Sequence, residues 1–224
     1  FRYRCTKSYF SSEHFKGNTV CNACGLEKKK VGVFNKYYTE SYLKSLFLIH
    51  YGRKYFALLK NSKFNILVLT KYHKDYLIDN GIEESRLDIF PNHIDTENKS
   101  VYDPESKYLV YAGRISNEKG LVELIEAFIK YNNKKVILKI IGNGPILNEI
   151  KLRYSKKNIE FLGEIENSKV LKEIRKARAV ITATKLLEGQ PMLLCEASIN
   201  GVPSIFPKFG GISEFFPIGY KFSY

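Results

Sequence analysis

Long apolar runs are missing from this 224-residue sequence. Stretches such as Leu46-Phe47-Leu48-Ile49 stop at four residues, whereas a membrane-spanning helix needs about 20. No secretory signal opens the chain. Methionine is nearly absent: the sequence begins at Phe1 and its one Met is Met192, so the native start is expected to lie outside it. Cysteine is sparse, with Cys5, Cys21, Cys24 and Cys195 alone, and nothing marks an oxidising compartment. Acidic residues are outnumbered, 23 Asp and Glu against 36 Lys and Arg, which leaves a net charge of +13. That excess is either a solvated basic surface or an attraction to something anionic: a nucleotide, an anionic membrane face or nucleic acid. The charge does not choose among them. No internal repeat or low-complexity segment is visible.

What is present fits one large or two modest domains. Hydrophobic residues make up 44% and can fill a core, while 26% charged residues cover a surface. Residues 1 to about 34 are polar and irregular. Tyr42 to Leu59 reads as a helix interrupted near Gly52. Phe64 to Leu69 reads as a strand, Thr70 as the cap of a helix over Lys71 to Asn80, and Gly81 as its stop. Leu87 to Phe90 is a further strand, closed by Pro91-Asn92-His93-Ile94-Asp95. Residues 1–95 therefore form a first domain, and the polar stretch 96–107 a linker. Residues 108–224 form the second domain.

There the pattern becomes regular. Strands are expected at Tyr108–Ala112, Val136–Ile141, Ile159–Leu162, Ala179–Ala183 and Pro203–Phe206. Helices alternate with them: one carries Leu121, Leu124, Ile125, Phe128 and Ile129 on one face. The others cover roughly Ile146–Lys156, Val170–Ile174 and Pro191–Asn200. Gly210 to Phe216 opens a further helix or turn. Five strands alternating with four helices predict an α/β fold with a doubly wound, Rossmann-like parallel sheet.

The rest of the chain is organised around Lys185 to Gly201. Pro191 sits where a helix would begin, Asn200-Gly201 where it would stop, and Pro203 just beyond. Glu188 then lies in the strand-to-helix loop and Glu196 in the second helical turn, at the edge where parallel sheets bind ligands. Arg114, past the first strand, and Lys119, before the first helix, should project from that same edge. Arg suits bidentate phosphate contacts and Lys acts as a point charge; two basic residues are otherwise ordinary surface. Glu196 can accept hydrogen bonds from both hydroxyls of a ribose. Glu188 can contact a second sugar or stabilise positive charge developing at an anomeric carbon. Paired carboxylates also suggest glycoside hydrolysis, but such a pair flanks one bond from two sides. Gly142-Asn143-Gly144 lacks the third glycine of a dinucleotide fingerprint.

Cys195 falls inside the helix and reads as a small core residue. Cys21-Asn-Ala-Cys24, with Cys5 and His14, is a candidate set for zinc, for a disulfide or for free thiols.

Together these residues resemble the retaining glycosyltransferases of family four, which have the GT-B fold of two facing Rossmann-like domains. The blocks run in the family's order: Y-A-G-R to E-K-G over Tyr111–Gly120, I-G-N-G-P over Ile141–Pro145, F-L-G over Phe161–Gly163, E-G-Q-P-M-L-L-C-E over Glu188–Glu196, N-G-V-P over Asn200–Pro203 and G-G-I-S-E over Gly210–Glu214. P-N-H-I-D at Pro91–Asp95 resembles the end of the family's first domain, with His93 where Gly is usual.

The resemblance implies that Arg114 and Lys119 hold the donor diphosphate. It implies that Gly113, Glu164, Ile165 and Glu196 bind the nucleotide, with Glu196 on the ribose. Glu188, as the catalytic residue, would face the transferred sugar, with Gly189, Gln190 and Pro191 lining its pocket. It implies a UDP- or GDP-sugar donor, retention of configuration and no required metal. A glycan or lipid-linked acceptor would place the work in surface polysaccharide synthesis, in the cytoplasm or at the inner face of an anionic cell membrane, with no nucleic acid bound. The early cysteines resemble those of a subgroup, though a further Cys expected near Tyr37 is absent. Measured against the family, the chain is expected to be an internal fragment or a truncated product, without the opening strands of the first domain and the closing helices. Two other readings are a non-catalytic nucleotide-sugar-binding scaffold and a basic, zinc-containing nucleic-acid binder, which would leave the Glu pair without a role.

Overall fold

The structure is a computed structural model that describes residues 42–79, 81–94, 102–155, 158–186, 188–208, 210–215 and 220–222. Two compact units divide it: Phe1–Pro91 with Lys185–Gly189, and Asn92–Thr184 with Gln190–Tyr224. The chain therefore passes between units at Pro91/Asn92, Thr184/Lys185 and Gly189/Gln190.

In the first unit, helix α1 spans Tyr42–Asn61. It runs through Gly52 without the expected interruption. A single interior glycine costs about 1 kcal/mol relative to Ala, which the rest of a 20-residue helix outweighs. Strand β1 (Ile66–Val68) leads to α2 (Lys71–Asp79), a 3-10 turn at Glu84–Arg86, and β2 (Leu87–Ile89). β1 and β2 pair in parallel, Ile66 opposite Leu87. Thr70 caps α2 as expected, its Oγ1 accepting the His73 N–H at 3.0 Å. Gly81 ends that helix region at φ +86°. Val68, Leu77, Ile82 and Leu87 form the buried core. Arg86 supplies a device invisible in sequence: its guanidinium donates to the carbonyls of Leu59, Lys60 and Phe64. Two of those are carbonyls at the end of α1, which have no partner inside their own helix.

The second unit holds a six-stranded sheet. Its elements are β3 (Tyr108–Ala112), α3 (Leu121–Tyr131), β4 (Ile137–Ile141), α4 (Leu147–Arg153), β5 (Ile159–Gly163), α5 (Asn167–Arg175), β6 (Ala179–Ile181), α6 (Met192–Ile199), β7 (Ser204–Pro207), α7 (Ile212–Phe215) and β8 (Tyr220–Phe222). Every expected strand is found. The sixth, β8, was not expected; it pairs in parallel with β7 through Ile205–Pro207. The sheet order β5-β4-β3-β6-β7-β8 is all parallel. It reverses direction between β3 and β6, the doubly wound arrangement.

Helices cover both faces. On one, Leu121, Leu124, Ile125 and Phe128 of α3 and Ile150 of α4 pack with Leu138 and Ile140 of β4. On the other, Ile174 of α5 and Leu194, Cys195 and Ala197 of α6 pack with Val110, Val180 and Phe206. Both clusters are nearly free of water contact, and each fully buried Leu or Ile contributes roughly 1.5–3 kcal/mol. Residues 102–107 of the expected linker are tied to this unit: the Tyr102 hydroxyl donates to the Arg178 carbonyl at 3.0 Å, and the Ser106 hydroxyl to the Lys176 carbonyl.

Candidate functional site

The loops that follow the strands at their carboxyl ends carry most of the predicted residues, and Glu196 lies in α6. After β3 come Gly113, Arg114, Ile115 and Ser116, then a 3-10 turn over Asn117–Lys119. Gly120, at φ +65°, closes that turn and starts α3. Arg114 is exposed and Lys119 half-buried. The backbone under Arg114 is fixed from below: buried Tyr111 donates its hydroxyl to the Arg114 carbonyl at 2.9 Å.

The β4 loop lies directly on the β3 loop. Gly113 N–H donates to Ile141 O at 3.0 Å and Ile115 N–H to Asn143 O at 2.8 Å. A Cβ on Gly142 would fall on the Gly113 carbonyl oxygen, and a Cβ on Gly144 on that of Ile115. Gly142 also sits at φ +132°. These two glycines therefore serve the contact of one loop backbone with another. The third loop joins in, since Gly142 N–H donates to Gly163 O at 2.7 Å. Ser116 is buried in this region, and its hydroxyl has no hydrogen-bond partner among the described residues.

Beyond Gly163, Glu164 is exposed and Ile165 is partly buried against the α6 side of the core. Two residues later Asn167 opens α5, and its side chain hydrogen-bonds the Glu196 carboxylate. The 164–167 loop and the second turn of α6 are thus adjacent. Glu196 is half-buried, and that burial lifts its pKa above the usual carboxylate value, with the Asn167 bond opposing the shift. Two side chains, Lys139 and Asn200, tie these elements together. Lys139 of β4 pairs with Glu173 of α5 at 2.6 Å, with its ammonium over the Tyr108 ring. Buried Asn200 donates to the Glu196 carbonyl at 2.7 Å and accepts from Arg175 at 3.0 Å.

Pro191, expected as the first helical residue, is instead the cap residue just outside α6, at ψ 127°, and the helix begins one place later at Met192. Gln190 is bonded to Asn92. Cys195 is buried, as expected, and its thiol pKa is pushed up by that burial. Glu188 and Gly189 group with the first unit. There Gly189 lies flush against the start of α2: a Cβ on it would be 2.7 Å from His73 Cε1 and 3.0 Å from Thr70 Cγ2. Sequence reasoning gave His73, Asn92, Asn167 and Asn200 no part in the site; Asn200 was read only as the stop of its helix. The candidate set Cys5, His14, Cys21 and Cys24 lies outside the described residues. Among the described residues no group of three His, Cys, Asp or Glu could hold a metal ion, and no helix is long and apolar enough to cross a membrane. A cavity of about 660 Å³ near the amino ends of the strands, lined by Leu109, Leu124, Phe128 and Ile205, is apolar and contains none of the predicted site residues.

A family model described as glycosyl transferases group 1 matches residues 93–220, more than half of the sequence. The chain belongs to this family. The amylovoran biosynthesis glycosyltransferase AmsD of Erwinia amylovora is 26% identical over 62% of this chain and 42% of its own length. Two solved structures share the fold. A mutant of S. aureus TarM in complex with fondaparinux, alpha-GlcNAc-glycerol and UDP matches with a TM-score of 0.67 and 18% identity, over 77% of this chain and 36% of that one. Anabaena HepE in complex with UDP-glucose matches with a TM-score of 0.64 and 16% identity, over 76% of this chain and 53% of that one. The chain is thus an α/β protein of the GT-B glycosyltransferase type, and it spans less than half the length of AmsD.

Proposed function

We propose that this chain carries the donor side of a retaining glycosyltransferase. The whole protein moves a sugar from a nucleotide-diphosphate sugar to a glycan or lipid-linked acceptor in surface polysaccharide synthesis, at the inner face of the cell membrane. The observation that carries this reading is Glu196. It is a half-buried carboxylate on a helix at the carboxyl edge of a doubly wound sheet, held beside the loop after β5. Burying a carboxylate costs free energy, and an interior Leu would pack there without that cost. A ligand with paired hydroxyls gives the carboxylate a use.

On this reading Arg114 and Lys119 neutralise the diphosphate and Glu196 accepts the ribose hydroxyls. Glu164, Ile165 and Gly113 meet the base and nucleoside. The Gly189–Pro191 backbone lines the sugar. Glu188 faces the anomeric carbon and stabilises the positive charge that develops as the bond to the leaving phosphate lengthens. The acceptor hydroxyl attacks from the same face, and its proton passes to the leaving phosphate oxygen, so configuration is retained. Electrostatic work falls to Arg114, Lys119 and backbone N–H groups, with no metal required. The UDP-glucose in HepE and the UDP in TarM support a uridine donor. The net charge of +13 supports a peripheral contact with anionic lipid.

The test uses the full-length protein and thermal stabilisation by UDP-, GDP-, ADP- and CMP-sugars. At about 100 times the dissociation constant, binding adds roughly 2.7 kcal/mol. One sugar nucleotide should raise Tm, and Arg114→Ala should remove the effect. Glu188→Ala should abolish turnover with that donor while leaving its binding largely intact. Wild-type turnover in Glu188→Ala would remove Glu188 from the chemistry, and the absence of any shift in the panel would overturn the donor reading.

A further inference from the structure

The chain enters the second unit at Asn92 and re-enters it at Gln190. These two residues, 98 positions apart, are bonded to each other three times. The Asn92 N–H donates to Gln190 Oε1, and Gln190 Nε2 donates to the Asn92 carbonyl at 3.3 Å. The Asn92 side chain in turn donates to the Gln190 carbonyl at 3.3 Å. The Gln190 carboxamide thus behaves as a peptide group would beside a strand, pairing with both the donor and the acceptor of one backbone residue. The Cys195 thiol, one turn into α6, is hydrogen-bonded to the same side chain. Both ends of the carboxamide are therefore occupied by the protein itself.

This matters for a residue whose neighbours, Gly189 and Pro191, are given to the sugar pocket. A side chain with its oxygen and nitrogen both engaged cannot turn to a ligand without breaking the pairing. We propose that Gln190 is a positioning residue: its carboxamide clips Asn92 to the backbone entering α6, and so holds the Gly189–Pro191 segment in its ligand-ready path. The proposal rests on the donor reading above. It gives the pocket the backbone of residue 190 and assigns the side chain to the clip.

Three full-length variants separate the contacts. Gln190→Leu removes both carboxamide bonds at nearly constant size. Gln190→Glu keeps the acceptor for the Asn92 N–H and loses the donor. Asn92→Ala removes only the third bond. Circular dichroism and melting confirm that each is folded. Two measurements are made. The first is hydrogen exchange at the Asn92 amide, which the bond to Gln190 should protect in the wild type. It should exchange roughly tenfold faster in Gln190→Leu, the weight of about one hydrogen bond, and remain protected in Gln190→Glu. The second is affinity for UDP and for UDP-glucose, or for the corresponding pair of the base the panel identifies. Gln190→Leu should weaken both by a similar factor, and Asn92→Ala should weaken both by less.

An unprotected Asn92 amide in the wild type overturns the clip, as does unchanged exchange in Gln190→Leu. A loss confined to the sugar-bearing ligand, with Asn92→Ala silent, makes Gln190 a direct sugar ligand and overturns the positioning role. Unchanged affinities in Gln190→Leu do the same while leaving the donor reading intact. A wild type that takes no nucleotide fails at the donor reading itself, and the positioning role falls with it.

Discussion

Replacing Glu196 by Gln should pull stability and binding in opposite directions. The carboxylate is half-buried, and burial holds its pKa above the usual value, with the Asn167 hydrogen bond opposing the shift. The folded chain therefore binds a proton more readily than the unfolded chain. Between the unfolded and folded pKa values, stability falls as pH rises, and above that window it stays lower. Gln carries no charge to desolvate. The Glu196→Gln variant should thus melt higher than the wild type at pH 7.5, and the gap should close as pH falls to about 4.3, the unfolded carboxylate value. The gain is at most a few degrees, since about 1 kcal/mol moves Tm by roughly 2–4 °C in a chain of this size. Nucleotide binding should go the other way. Hydrogen bonds to a charged group contribute about 1.5–3 kcal/mol against roughly 1 for neutral pairs. Two ribose hydroxyls on one carboxylate then lose about 2–3 kcal/mol in the amide, or roughly 30- to 150-fold in affinity. Melts across pH and calorimetric titration with UDP measure both effects. Unchanged UDP affinity would refute the ribose role. A variant that melts lower at pH 7.5 would refute the claim that the buried charge is costly.

Two more outcomes concern the loops that carry the site. Gly142→Ala places a Cβ on the Gly113 carbonyl oxygen at a φ that L side chains rarely adopt. It should cost about 2–4 kcal/mol in denaturant unfolding, and a change under about 0.5 kcal/mol would show that the β3 and β4 loops do not rest on each other. Ser116→Ala removes a buried hydroxyl without a partner among the described residues. It should be neutral or stabilise by up to about 1 kcal/mol, whereas a clear loss of stability would reveal a bound water serving that oxygen.

The fold was legible where signals are local and repeated. The face of α3 shows in the spacing of Leu121, Leu124, Ile125 and Phe128, and the cap at Thr70 and the stop at Gly81 show in residue type. Gly52 misled because a breaker signal ignores what the rest of a helix contributes. The strand β8 has three residues and no period to detect. Arg114 alone reads as ordinary surface; it and Glu196 stood out through the spacing and order of the blocks that contain them. Asn92, Asn167 and Asn200 did not, because amides turn up in every loop and cap, and their use depends on partners up to 98 positions away.

Contacts beneath and beside the β3 loop bear on how the proposed donor site would work. Stabilising a transition state without a metal requires donors that are in place before charge develops, because moving them during the reaction would consume the free energy they supply. On the proposed donor reading, Arg114 meets that requirement only if its loop is rigid. The loop is held from below by Tyr111 and from the side by the side-chain-free backbone of Gly142 and Gly144. A glycine there would ordinarily loosen a chain. Here it does the reverse, since only glycine lets the two backbones touch and exchange hydrogen bonds. The rigidity of the cationic loop is therefore set one strand away from the cation, and Gly142→Ala should weaken diphosphate binding along with stability even though residue 142 need never touch the ligand.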